Sequence, residues 1–252
     1  MPYIVAIDPG HGGRDPGAVS QGRQEKDDVL RLALSVGALL EQNGINVVYT
    51  RTTDVYQTPF EKATAANNAG ADLFVSFHRN ATPTGEATGA EVLVYEDTGI
   101  VAELAREILD SLEEAGFDNR GVIERKNLVV LRRTQMPSVL IEVGFIDNPS
   151  DNELFDQEFD QIAEGIADAI LDVISDVEAP DQPLYRVQVG AYRENRYAYA
   201  QLQMLLVQGF PAFIIYEDGL YKVQVGAFAQ LTNAVRMEQE LRRMGYNTYI
   251  TT

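Results

Sequence analysis

Two histidines are the whole imidazole content of this 252-residue chain, and each follows a short apolar run. Ile4-Val-Ala-Ile7 leads through Asp8, Pro9 and Gly10 to His11, and Asp72-Leu-Phe-Val-Ser-Phe77 leads directly to His78. Runs of this kind read as buried strands, whose carboxyl ends are where open α/β sheets place their ligands. A third run, Ser138-Val-Leu-Ile-Glu142-Val-Gly-Phe145, carries a carboxylate in its midst, which is costly unless the charge is paired or bound to a metal. Two imidazoles and a carboxylate make a catalytic zinc set with a fourth position left for water. Glu25 is the leading third ligand, because it ends the Gly-rich loop that begins at His11; Glu142 fits either a ligand or a general base. Asp8 and Asp15 flank His11 and are candidates for orienting its ring, although each precedes a proline and also reads as a plain turn residue.

The elements that must position these groups follow from periodicity. Asp27 or Asp28 caps a helix whose apolar positions are Val29, Leu32, Ala33, Val36, Leu39 and Leu40, closed by Asn43-Gly44. Ile45 to Tyr49 is a strand, and Pro59 to Ala69 a helix that leads into the strand before His78. Gly89 to Tyr95 is a strand, Val101 to Ala115 a helix, and Leu128-Val-Val-Leu131 a further strand. The Asn148-Pro149-Ser150-Asp151 cluster opens one long amphipathic helix to about Val177, with an acidic outer face. This rhythm predicts an α/β domain over residues 1–177, with a mainly parallel sheet flanked by helices.

The chain has 20 basic and 38 acidic side chains, a net charge of −18, which argues against nucleic acid and anionic membranes as partners. Residues 184–252 hold 7 basic and 5 acidic side chains, hence +2, which leaves 13 and 33, hence −20, on the remainder. Without cysteine there is no thiolate zinc site, so a metal must use histidine and carboxylate. No apolar run approaches the roughly 18 residues that span a bilayer. Met1-Pro-Tyr-Ile enters the first strand directly, which carries the expectation of no signal peptide.

Glu178-Ala-Pro-Asp-Gln-Pro183 reads as a linker, 178–183. Beyond it Tyr185-Arg-Val-Gln-Val-Gly-Ala-Tyr192 returns as Tyr221-Lys-Val-Gln-Val-Gly-Ala-Phe228, and Gly209-Phe210 as Gly245-Tyr246 at the same offset. Two βαβ-like repeats predict a small α+β domain over 184–252, one sheet with two helices on one face. Alternation points Val187, Val189, Val223 and Val225 inward and Gln188 and Gln224 to the opposite, exposed face.

Taken together, Asp8-Pro-Gly-His11-Gly-Gly13, Glu25-Lys26, Ser76-Phe-His78-Arg-Asn80-Ala81, Gly89-Ala-Glu91-Val92 and Pro137-Ser-Val-Leu-Ile-Glu142-Val-Gly-Phe145 resemble the zinc-dependent N-acetylmuramoyl-L-alanine amidases of the type 3 amidase family. The likeness covers about residues 3–175. It implies zinc ligands at His11, Glu25 and His78, a catalytic glutamate at Glu142, and hydrolysis of the bond between N-acetylmuramic acid and L-alanine in peptidoglycan. Arg79 stands where many relatives carry a smaller residue, a departure that bears on substrate contact and not on the metal site. The C-terminal part resembles the SPOR domain, which implies binding to glycan strands stripped of their peptides, with Gln188 and Gln224 as candidate contacts. The expected place of action is the cell wall side of a bacterium, reached by export or on lysis. Two other readings are a zinc peptidase acting on stem peptides and a non-catalytic wall-binding protein in which zinc is structural.

Overall fold

The computed structural model describes residues 3–178, 185–217, 219–228 and 231–251. The chain divides into two compact units, Met1–Ile174 and Ser175–Thr252. Glu178 ends a helix, and the rest of the expected 178–183 linker lies outside the described residues.

The first unit is built on a six-stranded sheet. Its strands are β1 (Ile4–Pro9), β4 (Asn46–Tyr49), β5 (Leu73–Asn80), β6 (Ala90–Val94), β7 (Asn119–Glu124) and β8 (Ser138–Phe145), after a two-residue pair β2 (Val19–Ser20) and β3 (Arg23–Gln24). The order is β4-β1-β5-β8-β6-β7, parallel from β4 to β8, with β6 antiparallel to β8 and β7 parallel to β6. Mainly parallel pairing buries both faces, and the side chains alternate between two cores. Val5, Ile7, Val75, Phe77, Val92, Val139 and Ile141 pack under α1 (Glu25–Gln42), α3 (Gly99–Glu114) and α6 (Phe159–Glu178). On the other face Ala6, Phe74, Leu93 and Leu140 meet Ala66 of α2 (Pro59–Ala69) and Val130 and Leu131 of α4 (Val129–Arg133).

That second face is only partly covered, and the two-residue period carries it outward into polar side chains. Ala6 is followed by Asp8, Phe74 by Ser76 and His78, and Leu140 by Glu142. The register pairs Asp8 with Ser76, His78 with Glu142, and Glu142 with Glu91 of β6. Two successive rows on one face of the sheet therefore bring the polar groups together. A capping box closes α2 over this end: Thr58 accepts from the Glu61 amide, the Glu61 carboxylate accepts from the Thr58 amide, and Pro59 takes the first turn.

Several sequence expectations are corrected. Residues 128–131 do not form a strand but the start of α4, where Val130 and Leu131 are buried and Val129 is half-buried. The expected single helix from 148 to 177 is two, α5 (Pro149–Gln157) and α6, separated at Glu158. β7 was not anticipated, because its sequence NRGVIE lacks the apolar character of an inner strand and it forms the sheet edge. Helix α1 starts at Glu25 rather than at Asp27 or Asp28, with Gln24 at its N-cap.

The second unit has β9 (Tyr185–Tyr192), α7 (Asn195–Val207), β10 (Ala212–Glu217), β11 (Leu220–Phe228), α8 (Leu231–Arg243) and β12 (Tyr249–Thr251). The sheet order β10-β11-β9-β12, antiparallel throughout, inserts one strand of each repeat between the two strands of the other, the split βαβ arrangement. Val187, Val189, Val223 and Val225 are buried against Ala198 and Leu205 of α7 and Ala234 and Leu241 of α8.

Candidate metal centre and its surroundings

His11, Glu25 and His78 converge, with one potential ligand atom from each lying within 4.8 Å of the others. His11 Nε2 is 3.0 Å and His78 Nδ1 2.9 Å from the same oxygen, Glu25 Oε1. The two rings meet edge to face with centroids 4.9 Å apart. Ligand atoms on a tetrahedral zinc stand about 3.3 Å apart when each bond is about 2.0 Å, so these separations suit such a site.

Each group is held by a different device. His78 lies on β5, so strand register fixes it. Glu25 opens α1, and its carboxylate also accepts from the Arg79 amide at 3.1 Å and the Ala18 amide at 2.8 Å. Burial raises the Glu25 pKa, but the hydrogen bonds and charges of His11 and His78 outweigh it and hold the carboxyl well below the ordinary value. His11 has a φ of 56°, a left-handed conformation that a side-chain-bearing residue adopts only when its surroundings impose it. Asp15 Oδ2 lies 3.0 Å from His11 Nδ1, and an Nδ1–H donated to that carboxylate leaves the Nε2 lone pair facing the site. Burial lowers the His11 pKa, while Glu25 and Asp15 raise it more. Gly17 packs where a Cβ would strike the Glu25 carboxylate and the His11 ring, and its φ of 66° also requires glycine.

Of the two aspartates expected beside His11, Asp15 orients the ring and Asp8 does not. The Asp8 carboxylate is buried and accepts from Thr50 at 2.6 Å, Lys62 at 2.7 Å and Ser76 at 2.7 Å. Lys62 Nζ also donates to the Pro9 carbonyl, and Arg51 donates to the carbonyls of Pro9, Gly10 and Lys26. Two cations thus grip the backbone immediately before the strained His11. Sequence reading missed Arg51 and Lys62; the signal was a lysine set among the alanines of an amphipathic helix, Lys62-Ala-Thr-Ala-Ala66.

Glu142 lies on the neighbouring strand β8, directly opposite His78. Its Oε2 is buried with no hydrogen-bond partner among the described residues. Burial first, then the charges of Glu25 and Glu91, push its pKa well above the ordinary carboxyl value. Glu91 in turn accepts from Asn80 at 2.9 Å and lies 3.5 Å from Arg120. Arg79 does not bear on substrate contact. It alternates with His78, so its guanidinium points to the other sheet face, where it is fully buried against Asp28 at 2.8 Å, Asn152 at 2.9 Å and the Phe155 ring.

A cavity of about 260 Å³ adjoins the two rings, lined on one side by Gln57, Pro59 and Lys62 and on the other by Asn127, Leu128, Val129 and Val130. Leu140 lies between. In the second unit Gln188 is half-buried, but Gln224 is buried, with 2% of its surface exposed, not exposed as its alternation suggested. It sits on the inner strand β11 between the cross-strand neighbours Phe213 and Gln188, with Tyr249 next in the same row.

A mainly parallel α/β sheet that sets a His-Glu-His group beside a buried glutamate has the donors for a metal ion and a carboxylate placed to move a proton. Residues 5–172 match the family described as N-acetylmuramoyl-L-alanine amidase, and residues 181–252 match the SPOR domain. The chain belongs to the N-acetylmuramoyl-L-alanine amidase family. It is 36% identical over 220 residues to the sporulation-specific N-acetylmuramoyl-L-alanine amidase of Bacillus subtilis strain 168, covering 85% of each chain. It is 37% identical over 219 residues to the N-acetylmuramoyl-L-alanine amidase CwlM of Bacillus licheniformis, again over 85% of each. Among solved structures, an N-acetylmuramoyl-L-alanine amidase from Clostridium difficile 630 aligns with a TM-score of 0.65 and 37% identity, over 71% of this chain and 98% of that one.

Proposed function

We propose that this protein hydrolyses the amide bond between N-acetylmuramic acid and L-alanine in peptidoglycan, using zinc held by His11, Glu25 and His78. The observation that carries the reading is the convergence of that donor set beside a buried glutamate oxygen, Glu142 Oε2, that has no partner among the described residues. The donors fit the metal: two neutral imidazoles and an ionised carboxylate are a set zinc accepts, with a coordination position left over. When bound, zinc supplies Lewis acidity toward water and the scissile carbonyl. Glu142 takes a proton from the attacking water and passes it to the leaving L-alanine nitrogen. Its raised pKa suits that exchange, since a base works best when its pKa lies near the working pH. Arg51, Lys62 and Asp15 keep His11 in its presenting conformation.

Residues 1–177 form the catalytic domain, 178–183 a linker and 184–252 a SPOR domain that binds glycan strands. The row Phe213, Gln188 and Tyr249, laid around the buried Gln224, supports this, because it sets aromatic and amide groups together on the face away from α7 and α8. Such groups suit neutral sugar hydroxyls and ring faces. The protein acts at the cell wall, and among the described residues no helix is long and apolar enough to cross a membrane. Elemental analysis of His78→Ala tests the ligand set: loss of bound zinc supports it, and full occupancy contradicts it. For the second unit, the full chain carrying Gln188→Ala and Tyr249→Ala is expected to lose retention on denuded glycan strands, and unchanged retention rejects that face.

A further inference from the structure

The basic side chains of the first unit are unevenly placed. Of its 13, five fall within residues 120–133: Arg120, Arg125, Lys126, Arg132 and Arg133. Arg120 faces Glu91, and Lys126 faces Glu96 and Glu124. Arg125, Arg132 and Arg133 are exposed and have no carboxylate partner among the described residues, although residues 1–183 hold 33 acids. All three lie on the turn and short helix, residues 125–133, whose middle residues Asn127 to Val130 form one wall of the cavity beside His11 and His78.

Residues 1–183 carry a formal charge of −20, so three exposed cations without carboxylate partners, flanking a wall of the active-site cavity, call for an anionic ligand. Two cations at the end of α4 also complement its dipole, but that leaves Arg125, which precedes the helix, without a role. We infer that the segment 125–133 is a substrate-binding surface on which Arg125, Arg132 and Arg133 recognise free carboxylates of the peptide arm of the substrate. This rests on the amidase reading and adds to it a preference for arms whose carboxylates are ionised over arms in which they are amidated. The cations also offset the repulsion that the acidic unit exerts on such an arm, so the preference weakens as salt rises.

The test uses the full chain and two soluble N-acetylmuramoyl-peptides, one with its carboxylates free and one with them converted to carboxamides. Binding is measured by titration and turnover is measured separately. Wild type is expected to bind the carboxylate form about tenfold more tightly at low salt, the order that a few exposed ion pairs supply. The Arg125→Gln, Arg132→Gln, Arg133→Gln variant is expected to bind both forms equally, and the Lys version at all three positions to restore discrimination. Equal binding of the two peptides by wild type, or discrimination that survives in the Gln variant, overturns the inference. Absence of turnover on both peptides with the binding preference intact would instead count against the amidase reading.

Discussion

His78 on β5 and Glu142 on β8 are register partners, so the sheet itself sets an imidazole of the candidate metal centre beside a carboxylate whose buried Oε2 has no hydrogen-bond partner among the described residues. Neither residue depends on a loop for its position. Glu142→Gln is expected to keep bound zinc and lower kcat by roughly 10²- to 10⁴-fold, the usual contribution of a general acid–base group. Elemental analysis and steady-state kinetics on the same preparation check it, and near-wild-type turnover removes Glu142 from the mechanism.

The same burial that equips Glu142 as a base works against stability in the metal-free protein. Its folded pKa lies above the ordinary value of 4.5, so above that pH the folded state holds a proton that the unfolded state has released, and stability falls as pH rises. Glu142→Gln removes this effect. Thermal melts of chelated protein are expected to show the variant more stable than wild type at pH 7 and the difference closing near pH 4. A constant difference across that range contradicts the raised pKa.

Asp15 acts on His11 through hydrogen-bonding geometry and leaves the donor set unchanged. Asp15→Asn is therefore expected to weaken zinc affinity by about tenfold to a hundredfold, as is usual when the group orienting a ligand histidine is altered. Competition with a chromophoric chelator measures it, and an affinity equal to wild type shows that Asp15 is a turn residue only.

Lys62 and Asp8 form a buried pair beside the His11 backbone, and removing one partner leaves the other without its counter-charge. Lys62→Met is expected to cost about 3–5 kcal/mol in denaturant unfolding, and the Asp8→Asn, Lys62→Met pair much less. Additive losses would show that the two groups do not act as a pair.

The inner strands were readable because both sheet faces are buried, so β1, β5 and β8 appear as unbroken apolar runs interrupted only where Asp8, Ser76, His78 and Glu142 reach the open end of one face. Residue types then pointed to His11, Glu25, His78 and Glu142 without any geometry. The four residues of 128–131 were misread because a short β-branched run looks alike in a strand and in one buried helical turn; packing against Ala66 and Leu140 decides between them. Gln224 shows the limit of alternation, which assigns a side chain to a face but cannot tell how closely its neighbours cover it. The grip of Arg51 on the Gly10 carbonyl joins residues 41 positions apart, and no local pattern reports such a contact.

The central claim is tested most directly by mass spectrometry of cell wall digested by the full chain, with chelator present and after zinc is restored. Release of peptides bearing free L-alanine amino termini, stopped by the chelator and recovered with zinc, is the predicted result. Continued release in the chelator, or cuts confined to bonds within the peptide, would contradict it.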